Sequence, residues 1–235
     1  MTQAAATYLE TIYPRAGLAH KMVVIPTCAD LDRFVPGPSP ASDEHVYGCV
    51  GSVLSGWFRI DWLGRFFEAA LSRDDAALFQ IITKDDPALV EEALAVNEAV
   101  QRRLTICAMS PRDIHRAVQG HFASIMFFHD GLGKLGSSPT RMGEVLGCGI
   151  PVVANRGVGD VEEIIDRHHI GVLVDDASEL EMDRAITELD RLIADPGLAE
   201  RCRATAERLF SLRSGIDAYG QIYERLQRRV GQPLS

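Results

Sequence analysis

Ala123-Ser124-Ile125-Met126-Phe127-Phe128 enters His129-Asp130-Gly131-Leu132-Gly133-Lys134-Leu135-Gly136. Next comes Ser137-Ser138-Pro139-Thr140-Arg141-Met142-Gly143-Glu144, and the chain then reaches Pro151-Val152-Val153-Ala154 through Gly147-Cys148-Gly149-Ile150. This stretch reads as strand, polar glycine-rich loop, helix and second strand. The first strand is expected over Ala123–Phe128, the helix over Ser138–Leu146 and the second strand over Pro151–Ala154. Both strands are short, nearly continuous apolar runs, the mark of strands covered on both faces by helices. The glycines of Gly147-Cys148-Gly149 allow a tight turn and close packing of helix on sheet.

The same alternation extends outward. Strands are expected at Val46–Val50, Leu78–Thr83, Leu104–Ala108 and Gly171–Val174. Helices are expected at Trp57–Leu71, Pro87–Arg103, from Pro111, and at Val158–Arg167. The fold class is therefore α/β, an open, doubly wound, Rossmann-like parallel sheet. Upstream, Thr2–Tyr13 reads as a helix, Lys21–Pro26 as a strand and the Pro/Gly/Ser-rich Val35–Ser42 as a linker or surface loop. Downstream come extra C-terminal helices. Met182, Ala185, Ile186, Leu189, Leu192 and Ile193 share one face, Asp195-Pro196-Gly197 breaks the pattern, and Leu198–Leu209 follows. A last helix carries Ile216, Tyr219, Ile222, Tyr223 and Leu226 on one stripe. The expected division is 1–42, 43–194 for the Rossmann-like domain and 195–235 for C-terminal helices packing back on it.

The 235 residues, 46% hydrophobic and 24% charged, suit a soluble globular chain with a substantial core. The net charge of −9 argues against nucleic acid as a partner, because phosphate backbones require a basic surface. Five widely spaced cysteines, with no C-x-x-C pair and most among apolar neighbours as buried free thiols are, point to a reducing compartment. No His/Cys/Asp/Glu set has metal-ligand spacing, so no metal is expected. No secretory leader or run of 18 apolar residues is read, so the expected location is cytoplasmic.

In open α/β sheets ligands bind at the carboxyl ends of the strands, which directs attention to Gly51–Trp57, Ala108–Pro111, His129–Ser138 and Asn155–Gly159. Ser138 is a natural N-cap and Pro139 suits the first helical position. The helix start then offers unpaired N–H groups and a positive dipole end to an anion, flanked by Lys134 and Arg141. Glu144, about a turn and a half in, can accept hydrogen bonds from a ribose diol. The plain alternative is a capped helix with scattered surface charges. Gly51 lets backbone amides approach a diphosphate, and Ser52 adds a donor. Gly157–Ile165 is a glycine loop opening a helix, with Glu163 able to anchor the top of the sheet. Trp57 and Phe58 read as core or interdomain packing, with a sugar platform as the alternative. His129-Asp130 reads as a solvated loop pair in the cleft, and His168-His169 as a helix C-terminus.

Taken in order, Val23-Val24-Ile25-Pro26 with Asp30 and Phe34, Val50-Gly51-Ser52, Ser138–Glu144, Gly149-Ile150-Pro151-Val152-Val153 and the closing Phe210-Ser211-Leu212 with Tyr219 and Tyr223 resemble a known family. They are similar to the C-terminal, donor-binding half of retaining GT-B-fold glycosyltransferases of the group 1 (family 4) type. The resemblance implies transfer of a sugar from a nucleotide-diphosphate sugar to an alcohol acceptor. It makes 1–42 the helix, strand and linker of the interdomain region. It also makes the last helix one that crosses back to an N-terminal acceptor domain, which would be supplied in the same or another chain.

Carried over by position, Glu144 would hold the donor ribose and the backbone of Ser137 and Ser138 the diphosphate. Gly51 and Ser52 would face the diphosphate, and Ala108 and Met109 would frame the base. The implied nucleotide-sugar site is thus Gly51, Ser52, Met109, Lys134, Ser137, Ser138, Arg141 and Glu144. The donor enters as substrate, and no cofactor is expected. Peripheral membrane contact through the acceptor is a further partner the resemblance admits. The family's first glutamate is replaced here by Gly136, and the Arg–Lys pair after the Val-Gly strand is absent, with Arg59 a replacement for one of them. No catalytic residue is therefore assigned. Two other readings stand beside this one. The first is a non-catalytic nucleotide-sugar-binding subunit or module. The second is a GT-B-fold nucleotide-sugar epimerase, which would need His129, Asp130 and Glu163 to converge.

Overall fold

A computed structural model describes residues 2–38 and 45–230. Residues 39–42 of the expected linker therefore lie outside the described residues. Six strands form one sheet: β1 (His45–Val50), β2 (Ala77–Ile82), β3 (Leu104–Cys107), β4 (Ala123–Met126), β5 (Val152–Asn155) and β6 (Gly171–Val174). The order is β3-β2-β1-β4-β5-β6 and every pairing is parallel. All six strand expectations in this region are met; β4 and β5 are buried along their whole length and are nearly continuous apolar runs, interrupted only by Ser124 and Asn155. The order reverses between β1 and β4, which opens a crevice at their carboxyl ends.

Helices cover both faces. On one lie α2 (Ile60–Arg73) and α9 (Glu179–Ile193). In α2, Trp62, Leu63, Phe66, Phe67 and Ala70 recur at helical spacing, and all are buried against Tyr47, Phe79 and Phe127. Met182, Ala185, Ile186 and Leu189 do the same for α9, whose first turn is capped by Ser178. On the other face lie α7 (Thr140–Gly147), α8 (Val161–His168) and α10 (Leu198–Leu209), with Ala29, Leu31 and Phe34 in the same core. Gly143 and Gly147 permit this closeness, since an added Cβ would stand 2.7 Å from Phe210 and 2.8 Å from Leu31. The guanidinium of Arg203 donates to the carbonyls of Phe34, Gly147 and Leu31, tying the upstream segment to the end of α7.

Two expectations fail here. Lys21–Pro26 is not a strand. It has no ladder partner among the described residues, Pro26 has no N–H to offer, and Thr27 hydrogen-bonds to Ser138 instead. The expected helix Pro87–Arg103 is two pieces, α3 (Pro87–Leu94) and α4 (Glu98–Gln101). Ala95 turns left-handed at φ 51°, and Asn97 starts again by accepting from the amides of Ala99 and Val100.

Between β3 and β4 lies α5 (Ile114–Val118), and between β4 and α7 lies α6 (Leu132–Leu135). The chain opens with α1 (Gln3–Ile12) and the described part closes with α11 (Leu212–Val230). The first turn of α1 is held by Asp160, whose carboxylate accepts from the amides of Gln3 and Ala4 at 2.8 and 2.7 Å. α11 meets the body at Gly215, buried so tightly on the sulfur of Cys28 that an added Cβ would collide with it. Beyond that contact Leu212, Ile216, Tyr219, Tyr223 and Leu226 are exposed, as are Tyr8 and Ile12 on α1. No helix among the described residues is long and apolar enough to cross a membrane.

Candidate functional site

Five of the eight expected site residues come together. Gly51, Ser52, Met109, Arg141 and Glu144 line one cleft of about 340 Å³ at the carboxyl ends of β1, β2 and β3. Gly51 ends β1 at φ 122°, a backbone state that favours glycine. An added Cβ there would stand 3.6 Å from Nε of Arg141, so the guanidinium lies directly over the turn. Arg141 in turn donates to Glu144 at 3.0 Å across one turn of α7. The Glu144 side chain is only 15% exposed against 37% for Arg141, so the carboxylate lies deeper in the cleft than the cation. Met109, Pro111 and Ile114 supply an apolar wall on the β3 side.

The α7 start differs from the expected one. The helix begins at Thr140 with Pro139 in the capping position, so Ser138 is not the N-cap. Its hydroxyl lies 3.0 Å from that of Thr27, and its carbonyl accepts from Thr27 at 2.9 Å. A local propensity for capping is thus overridden by a contact from a segment 111 residues away. The amides of Thr140 and Arg141 still precede the first intrahelical hydrogen bonds and leave a positive helix end beside Arg141. Ser137 and Ser138 line a different cavity of about 250 Å³, bounded by Val24, Pro26, Met142, Ile164 and Phe210. They are not brought to the cleft of Arg141.

Lys134 stands apart from both cavities. It lies on α6, with its ammonium 4.8 Å from the ring centre of Trp57 and 5.1 Å from that of Phe128. Burial there lowers its pKa from the ordinary lysine value. Arg59 lies 4.4 Å over Trp62 and donates to Asp130 at 3.2 Å. Glu163 pairs with Arg167 at 2.8 Å and faces the second cavity, so His129, Asp130 and Glu163 do not converge on one point. Phe58 is core, as expected, whereas Trp57 is 58% exposed and packs into no core.

The sequence reading missed Asp85. It lies just past β2 and lines the cleft with Thr83 and Lys84. Its carboxylate accepts from the Ser52 hydroxyl at 2.9 Å and from the amides of Val53 and Leu54 at 2.7 and 3.0 Å. Burial works against its charge, but hydrogen bonds from Leu54, Ser52, Val53 and Thr83 outweigh that and hold it below the usual carboxylate range. The Gly51 amide is likewise engaged, donating to the carbonyl of Ile82 at 2.9 Å. The donors expected from this loop are therefore internal braces; Arg33, Lys84 and Arg141 are cations lining the cleft, and Arg141 lies over the Gly51 turn. Lys84-Asp85-Asp86-Pro87 after an apolar strand was the available signal, since it marks another strand end at the crevice.

Fold and cleft define a doubly wound α/β domain with an anion-compatible helix start at its switch point. The particular version is that of the GT-B glycosyltransferases. A glycosyltransferase from Rickettsia africae matches 96% of this chain with 62% of its own, at a TM-score of 0.73 and 18% identity. Sucrose-phosphate synthase from Thermosynechococcus elongatus matches 94% of this chain with 57% of its own (TM-score 0.63, 20% identity). HepE from Anabaena, solved with UDP and glucose, matches 96% with 61% of its own (TM-score 0.65, 18% identity). The chain thus spans about three fifths of these three structures, an extent consistent with a C-terminal half. No family model matches the sequence, and no curated protein does.

Proposed function

We propose that this chain is the donor-binding half of a glycosyltransferase, transferring sugar from a nucleotide-diphosphate sugar to an alcohol acceptor held largely by a further domain. The observation that carries the reading is the convergence of Gly51, Arg141, Glu144 and Met109 in one cleft at the switch point. In this reading the base lies on Met109, Pro111 and Ile114, and the ribose diol donates to Glu144. The diphosphate sits between Arg141, the α7 start and the Gly51 turn. Glu144 and Arg141 neutralise one another without ligand. A ribose and a diphosphate would each take over one partner, so neither charge is left unpaired. Stabilising the departing diphosphate with a cation and a helix start is electrostatic catalysis and needs no protein nucleophile.

A second reading, binding without transfer, is favoured by Gly136. It stands where the family resemblance expects an acid, and nothing lies within 4 Å of its Cβ position.

Calorimetry with UDP, GDP and ADP tests the site. One of them should bind, and Glu144→Ala should weaken that binding by about 1–3 kcal/mol, the cost of a lost charged hydrogen bond. Unchanged affinity in the variant would remove the ribose assignment. Transfer or donor hydrolysis then separates the two readings.

A further inference from the structure

The ring of Trp57 is 58% exposed, yet its surroundings are fixed. Its carbonyl accepts from the amide of His129 at 3.0 Å, and the next two residues are tied to the end of β4. Phe58 bridges Phe128, and the Arg59 amide donates to Phe127 at 3.0 Å. On one side the ring is backed by the Lys134 ammonium and by Gly133, whose added Cβ would stand 4.0 Å from the indole edge. Lys134 is itself anchored, since its carbonyl accepts from the amides of Ser137 and Gly159 at 3.0 and 2.9 Å. The backbone that carries the ring is thus fixed, the Lys134 ammonium lies over the indole, and the ring is otherwise open to water.

Strand order gives its position relative to the cleft. Met109 follows β3, Gly51 follows β1, and Arg141 opens the helix after β4. A nucleotide laid with its base on Met109 and its diphosphate at Gly51 and Arg141 therefore runs from the β3 side toward β4. The group beyond the second phosphate continues toward the end of β4, where Trp57 and Lys134 stand. A pyranose presents a face of C–H groups to an aromatic ring.

We infer that Trp57 is the stacking platform for the donor's sugar ring, an assignment that rests on the nucleotide site proposed above. Trp57 then acts on the sugar moiety alone and leaves the nucleotide untouched. The fixed backbone around Trp57 lowers the cost of stacking, because less of the chain has to be ordered when the ring is covered.

The test pairs each nucleotide with its hexose conjugate: UDP with UDP-glucose, GDP with GDP-mannose, ADP with ADP-glucose. Calorimetry is run on the unsubstituted chain, Trp57→Ala and Trp57→Phe. Trp57→Ala should weaken the sugar conjugate about tenfold, the size of one aromatic contact, while the bare nucleotide binds unchanged; Trp57→Phe should retain most of the difference. The emission of exposed Trp57 should shift to the blue with the conjugate and not with the nucleotide, and this shift should vanish in Trp57→Phe. An equal effect on both ligands, or on neither, overturns the inference. So does a shift produced only by free glucose added with the nucleotide, which would make the ring an acceptor subsite. If the unsubstituted chain binds no nucleotide, the cleft assignment itself falls, and that outcome needs no variant to recognise.

Discussion

Lowering the pH from 7 toward 4 protonates every histidine of an unfolded chain, but the folded domain resists at His121. This residue is 2% exposed just before β4. Its Nε2 lies 3.0 Å from Oε1 of Gln80, and its Nδ1 is buried without a partner among the described residues. The ring fills the space over Gly48, the register partner of Gln80, where any Cβ would collide with it. Burial pushes the pKa of His121 from 6.5 down to about 4. Between those values the unfolded chain binds a proton that the native state refuses, so stability falls as pH falls. At about 1.4 kcal/mol per pH unit, the loss is about 2 kcal/mol by pH 5 and about 3 kcal/mol by pH 4. That is a large share of the ~5–15 kcal/mol typical of a domain. Urea unfolding followed through the fluorescence of buried Trp62 at pH 7, 6 and 5 measures it. His121→Leu should be less stable at pH 7, having orphaned Gln80, but its stability should fall less steeply with acid. Equal slopes in the two proteins, at constant m-value, would refute the argument.

Two further outcomes are expected. Asp85→Ala should leave the sheet folded but free the loop it braces, so the amides of Val53 and Leu54 should exchange faster by hydrogen-exchange NMR; unchanged protection would show that the loop holds itself. Gly136→Glu should cost less than about 0.5 kcal/mol in thermal unfolding, because the residue has φ −83° and open space around it. If the cleft is a donor site, the new acid should alter binding of a sugar nucleotide more than that of the bare nucleotide.

Much of the architecture was legible because it depends on short-range patterns. The apolar run at β4 and the helical spacing of Trp62, Leu63, Phe66 and Phe67 need no knowledge of their partners. Lys21–Pro26 misled because an apolar run resembles a strand whether or not an edge is free to receive it. Ser138 misled because its cap was taken by Thr27, a competitor that sequence spacing cannot show. The site was half legible. Gly51, Arg141 and Glu144 could be placed by their positions at strand ends and helix starts, but Asp85 could not, since its role is to close a loop from the neighbouring strand. That Trp57 stays outside the core was not legible, for a related reason. Aromatic residues near a helix start usually point into a core, and only the three-dimensional arrangement shows that the core is already filled by Phe58.

The contact between Cys28 and Gly215 gives this protein a built-in chemical reporter. Cys49, Cys148 and Cys202 are buried thiols, and burial also raises their pKa to about 12. They should react only when the domain itself opens. Cys28 and Cys107 are half-buried, and the helix α11 rests on the Cys28 sulfur through a residue with no side chain. A bulky alkylating group on Cys28 would crowd α11 at Gly215, so the seated helix should slow its modification. The rate of Cys28 labelling therefore reports excursions of the last helix away from the body, and anything that clamps the exposed stripe of α11 should slow it.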